Sequence, residues 1–127
     1  MNPPRYLLIV EDEALIAMAF ESALSLKGYL CRVVSSAEEA LASLSDQLPD
    51  AVIMDIHLAG NLDGIQCAQK MRTAHQCPII FTTGYDTQEV RQRGKDLANV
   101  QFLEKPMTVQ DLLRTLRKFE GSPELPS

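Results

Sequence analysis

Basic residues are the scarcer charge in this 127-residue chain, with 12 Lys and Arg against 17 Asp and Glu and a net charge of −5. A free-standing nucleic-acid binder carries a basic footprint, so direct nucleic-acid binding is not expected. Long apolar runs are missing as well. None approaches the roughly 20 residues needed to span a bilayer. The start, Met1-Asn2-Pro3-Pro4-Arg5, lacks a signal-peptide hydrophobic segment, so a cytoplasmic setting without membrane contact is expected. Cysteine is sparse and odd in number. Cys31, Cys67 and Cys77 form no CxxC pair, which excludes a zinc knuckle and a disulfide framework and leaves small core hydrophobes as the plain reading. No GxGxxG follows the first apolar run and no GxxxxGK[ST] occurs, so nucleotide-phosphate binding has no support. What remains is ordinary globular composition, 46% hydrophobic and 23% charged. That length suits one domain, able to bury about two-thirds of its unfolded surface.

The apolar pattern alternates short runs with longer periodic stretches. Residues 6–10, 31–34, 51–55, 78–82 and 100–103 read as strands. Residues 13–27 read as a helix whose core stripe is Leu15, Ile16, Ala19, Phe20, Ala23 and Leu24, closed by Gly28. Met18 and Leu26 exceed that stripe and are also assigned to the core. Ser36, with Glu39 three residues on, marks a capping box for a helix reaching about Leu44. A helix over 64–74 follows a glycine-bearing loop. The polar stretch 86–98, with Gly94 inside it, predicts a short or mobile helix. Thr108 and Asp111 open a last helix, in which Val109, Leu112, Leu113, Leu116 and Phe119 share a face. Residues 121–127 hold two prolines and no periodicity, and read as a tail or the start of a linker after a domain over 1–120. Five βα units imply a doubly wound parallel sheet with helices on both faces. Ligands of such sheets bind at the carboxyl ends of the strands.

The residues just after the apolar runs therefore matter most. Glu11 and Asp12 follow the first, Asp55 ends the third, Thr83 follows the fourth, and Lys105 follows the fifth. Each alone has a bland explanation: a helix N-terminus, a strand-end aspartate, a turn threonine, a loop lysine before Pro106. Together they fall at one end of alternate elements. Three carboxylates in one place need positive charge, which Mg²⁺ and Lys105 can supply. A carboxylate nucleophile, a screening metal and donors for transferred oxygens are the equipment for accepting a phosphoryl group.

Those same segments resemble the receiver (CheY-like) domain of bacterial two-component response regulators. The matching stretches are LLIVEDE, AVIMDIHLAG, PIIFTTGYD and FLEKPM, in the family's order and spacing across nearly the whole chain. The resemblance implies a flavodoxin-like α/β fold with a five-stranded parallel sheet in order 2-1-3-4-5. It implies that Asp55 is phosphorylated by a histidine kinase or a histidine phosphotransfer protein. Glu11, Asp12 and Asp55 would hold Mg²⁺ with the backbone carbonyl of His57. Thr83 would hydrogen-bond the phosphoryl group and Lys105 would pair with it. Phe102 matches the family's switch aromatic, with Tyr85 as a second aromatic near Thr83. The chain departs from the common pattern in two places. The loop after Asp55 is one residue longer and has Ala59 where proline is usual. Gly84 stands where most receivers carry alanine. The second feature is similar to the FAT GUY subgroup, with Thr82 in the place of that subgroup's alanine, and implies a stand-alone receiver served by a kinase of the HWE type.

The expected behaviour is that of a switch rather than a turnover enzyme, monomeric or dimerising on phosphorylation. Gly84 should loosen its loop. His57 and Tyr85, two residues beyond Asp55 and Thr83, are expected to set water access to the phosphate. Two alternatives are a small Mg²⁺-dependent phosphatase with an aspartate nucleophile, and a receiver-like interaction module that takes no phosphate. The first usually carries a second aspartate two positions after its nucleophile, where this chain has His57. Retention of all five strand-end residues argues against the second.

Overall fold

In a computed structural model, which describes residues 5–85 and 87–119, the five apolar runs pair as one parallel sheet in order β2-β1-β3-β4-β5. The strands are β1 (Tyr6–Val10), β2 (Leu30–Val34), β3 (Ala51–Asp55), β4 (Ile79–Thr83) and β5 (Val100–Glu104). Strands β1, β3 and β4 are buried along their whole length, so they read as continuous apolar runs rather than alternating ones. The edge strands β2 and β5 are more exposed.

Five helices cover the sheet: α1 (Ala14–Leu26), α2 (Ala37–Ser43), α3 (Gly64–Met71), α4 (Gln88–Arg93) and α5 (Val109–Phe119). Strand alternation splits the core in two. Leu7, Ile9, Ile53 and Ile80 pack with α1 and α5 on one face. Leu8, Val10, Val52, Met54 and Phe81 pack with α2 and α3 on the other, where Val90 and Leu97 from the α4 region also rest.

The helix ends follow local chemistry. The Ser36 side chain accepts the Glu39 N–H, but Glu39 returns to Ser35, at its N–H (2.7 Å) and hydroxyl (2.9 Å), so the return arm of the expected box starts one residue early. Thr108 and Asp111 close a full box, with bonds of 2.9 and 3.1 Å. A third, over Asp63 and Gln66, fixes the start of α3 and was not anticipated from the sequence. Gly28 ends α1 at φ +98°, a conformation glycine adopts without a Cβ penalty.

Two expectations need correction. Leu15, Met18 and Leu26 are 81%, 60% and 88% exposed and Ala19 is exposed with them, so part of the expected core stripe of α1, and the apolar excess beyond it, are surface. A helix apolar on most of its circumference suggests burial, yet only one side of α1 meets the sheet. Strand β4 begins at Ile79 rather than 78 and takes in Thr83. The stretch expected as a tail, 121–127, lies outside the described residues.

Candidate functional site

Every strand points its carboxyl end the same way, which gathers the strand-end residues on one edge of the sheet. Glu11, Asp12 and Asp55 converge there: one oxygen from each lies within 4.8 Å of the others. Glu11 and Asp55 are buried, while Asp12 is exposed at the rim. Lys105 enters from the end of β5, with Nζ 3.4 Å from Glu11 Oε1 and 3.3 Å from Asp55 Oδ2.

The electrostatics follow from this crowding. Burial, and then the neighbouring Asp55 charge, push the Glu11 carboxyl up to about 7; the Glu13 N–H and Lys105 offset only part of that. Burial pulls on Lys105 in the opposite sense, but Asp55 and Glu11 outweigh it and hold its ammonium above its ordinary value. The cluster thus contains more negative charge than one lysine neutralises. That unmet demand, from hard oxygen ligands, fits a divalent cation such as Mg²⁺.

The loops set the remaining geometry. Asp55 Oδ1 accepts the His57 N–H at 3.1 Å, and Asp12 Oδ2 accepts the Ala59 N–H at 3.0 Å, so both carboxylates hold the long β3–α3 loop. Gly64 lets that loop close. A Cβ there would fall on the Asp55 carbonyl oxygen and 2.9 Å from Ile56 Cα. The His57 side chain is exposed, and among the described residues no ion pair or hydrogen bond joins its ring to a carboxylate.

Thr83 is fully buried, but it does not join the cluster. Its hydroxyl donates to the Tyr85 carbonyl and accepts the Tyr85 N–H, both at 3.1 Å. Strand alternation also places it with Phe81, on the face opposite Asp55. Of the two aromatics, Tyr85 is 74% exposed, whereas Phe102 is half-buried. The Phe102 ring lies 5.2 Å from that of Phe81 and under the Arg91 guanidinium, 5.1 Å from the ring centre. Gly84 is exposed, with open space where a Cβ would sit. Beside the carboxylates runs an apolar groove of about 550 Å³, lined by Leu15, Ile16, Ala19, Phe20, Pro106, Met107 and the stem of Lys105.

The three cysteines stay outside this chemistry. All are free, Cys67 and Cys77 are buried, and burial pushes the Cys67 thiol up to about 12. Cys31 is only half-buried at the β2 edge.

An acidic edge of a 2-1-3-4-5 sheet, bridged by a lysine from the last strand, defines a class of small α/β proteins with a strand-end carboxylate site. Within that class, residues 7–117 match the response regulator receiver domain model, and the chain belongs to that family. It is 30% identical over 115 residues to response regulator MprA of Mycolicibacterium vanbaalenii, covering 90% of this chain and 49% of that protein. It is 32% identical over 111 residues to the transcriptional regulatory protein PdtaR of Mycobacterium tuberculosis, covering 87% and 54%. The chain thus spans about half the length of these curated relatives. Among solved structures, a putative response regulator from Chloroflexus aurantiacus superposes with TM-score 0.83 at 31% identity, over 94% of this chain and 99% of that one. A CheY-like receiver domain protein from Methanospirillum hungatei gives TM-score 0.84 at 24% identity, over 93% and 95%, and supports the fold. Among the described residues, no helix is long and apolar enough to cross a membrane.

Proposed function

We propose that this receiver domain is a phosphoacceptor in a two-component phosphorelay, with Asp55 taking a phosphoryl group from a phosphohistidine. The observation that carries this reading is Lys105 bridging Glu11 and Asp55 beside a surplus of carboxylate. In the transfer, an Asp55 carboxylate oxygen forms a bond to phosphorus as the N–P bond breaks, and its electron pair returns to the donor imidazole. Positioning and charge compensation supply most of what such a transfer needs. Lys105 pairs with the transferred oxygens. Glu11, Asp12 and Asp55, with the His57 carbonyl, would hold Mg²⁺, which supplies neutralisation of the phosphoryl charge.

The donor, a histidine kinase or a histidine phosphotransfer protein, must rest on surface next to Asp55. The α1 groove qualifies, because Lys105 lines both it and the site and because Leu15 is exposed at its edge. Phosphorylation acts as a switch through Thr83. Its hydroxyl must release the Tyr85 carbonyl to bond a phosphoryl oxygen, which moves Gly84 and Tyr85, and Phe102 beneath α4 responds. The PIIFTTGYD stretch supports placement near the FAT GUY receivers and with it a stand-alone role.

The test is incubation with Mg²⁺ and acetyl phosphate, followed by intact mass. One phosphoryl group should add to the wild type and none to Asp55→Asn. An adduct that survives in Asp55→Asn refutes the assignment, and steady phosphate release from many monoesters would favour a phosphatase instead.

A further inference from the structure

Thr82 has a buried hydroxyl that the fold does not use. The residue is 1% exposed, and among the described residues no hydrogen bond engages its side chain. Its backbone belongs to the sheet, where its carbonyl accepts the Ile56 N–H at 3.0 Å. Leaving a hydroxyl buried without a partner is costly, and valine would fill the same space without that cost. The location gives the reason. Thr82 is in register with Asp55 on β3 and with Leu103 on β5. Ile53, Ile80 and Leu103 all point into the α1/α5 half of the core, so alternation puts Asp55, Thr82 and Lys105 on one face. Adjacent strands lie about 4.8 Å apart. Thr82 is therefore the β4 neighbour that shares a face with Asp55, on the side that Thr83 does not reach.

We infer that Thr82 is a second hydroxyl donor to the Asp55 carboxyl group and that it shortens the life of the phosphorylated state. This rests on Asp55 being the phosphoacceptor. In the resting protein, Asp55 Oδ1 takes the His57 N–H and Oδ2 faces Lys105. Once a phosphoryl group is attached, Lys105 has its oxygens to pair with, and one carboxyl oxygen loses a donor. Thr82 replaces it. In hydrolysis a water oxygen bonds to phosphorus, the bond from phosphorus to the Asp55 oxygen breaks, and the electron pair stays on the carboxylate as a water proton passes to solvent. Negative charge grows on the carboxyl oxygens along that path. A donor aimed at them binds more tightly in the transition state than in the acyl phosphate, and so accelerates the loss.

The experiment phosphorylates wild type, Thr82→Val, Thr82→Ala and Thr82→Ser with acetyl phosphate and Mg²⁺, removes the donor, and follows the adduct by intact mass. Urea midpoints are measured in parallel on unphosphorylated protein. Thr82→Val should lengthen the half-life by about fivefold to tenfold, the worth of one hydrogen bond to a developing charge. Thr82→Ala should lengthen it similarly, and Thr82→Ser should restore the wild-type value. The urea midpoint of Thr82→Val should equal or exceed that of the wild type, because among the described residues the hydroxyl has no hydrogen bond to lose. An unchanged half-life in Thr82→Val, or a lowered midpoint, overturns this inference alone. Absence of any adduct on the wild type overturns the phosphoacceptor reading, and this inference with it.

Discussion

Replacing Glu11 by glutamine should remove a pH dependence from the stability of this domain. The Glu11 carboxyl, ordinarily near 4.5, is raised to about 7 by burial and then by Asp55. Between those values the folded protein holds a proton that the unfolded chain has released. Stability therefore falls as pH rises through that window and levels off above it. A displacement from 4.5 to about 7, at about 1.4 kcal/mol per pH unit, amounts to about 3 kcal/mol. Lys105, held above its ordinary value, stays charged throughout and adds no slope. Urea unfolding followed by circular dichroism, from pH 5 to 8 in EDTA, measures the effect. The advantage of Glu11→Gln over wild type should grow by most of that 3 kcal/mol across the series. Mg²⁺ at pH 7.5 should recover stability in the wild type, where it meets the ionised carboxylates, and less in the variant. Parallel curves for the two proteins, or a wild type that gains on the variant as pH rises, would refute the electrostatic picture of the cluster.

Two further outcomes follow from backbone crowding and from α4. Gly64→Ala sets a Cβ against the Asp55 carbonyl oxygen and 2.9 Å from Ile56 Cα, backbone atoms that cannot give way, and should cost about 3 kcal/mol in urea unfolding. Gly84→Ala enters open space at a φ that alanine adopts, and should hold stability or raise it by up to about 1 kcal/mol; equal losses in the two variants would contradict the packing described. Helix α4 buries none of its residues and is tied to the start of α3 by the Arg93–Asp63 pair at 2.7 Å. Arg93→Ala should therefore change global stability by no more than about 1 kcal/mol while speeding amide exchange over 88–93. Exchange that stays unchanged there would mean that other contacts hold the helix.

Much of this was legible because burial and chain direction leave few options. Three strands buried on both faces announce themselves as apolar runs, and the βα alternation admits one doubly wound topology. Polar residues directly after those runs must then meet at one edge, and Glu11, Asp12, Asp55 and Lys105 do. The α1 surface was not legible, because periodicity cannot say which part of a broadly apolar helix meets the sheet. Leu15 and Met18 belong to its outside. Gly64 was missed for a related reason. Its need comes from the approach of another segment's backbone, which leaves no local mark in the sequence.

The pair Thr82-Thr83 shows where sequence reasoning stops at this site. A strand buried on both faces has no polar–apolar alternation, so its sequence does not say which threonine shares a face with Asp55. Only the pairing of β3 with β4 decides it, by setting Thr82 opposite Asp55 and turning Thr83 toward Phe81. A shift of one residue would exchange the two hydroxyls. The register is held by the burial of Ile80 and Phe81 on opposite faces, since neither could be turned to the other without disturbing both halves of the core. Core packing two residues away thus assigns distinct positions to two chemically identical side chains. One hydroxyl is tied to a loop that must move to release it. The other is buried on the face of the sheet that holds Asp55, and among the described residues no hydrogen bond engages it.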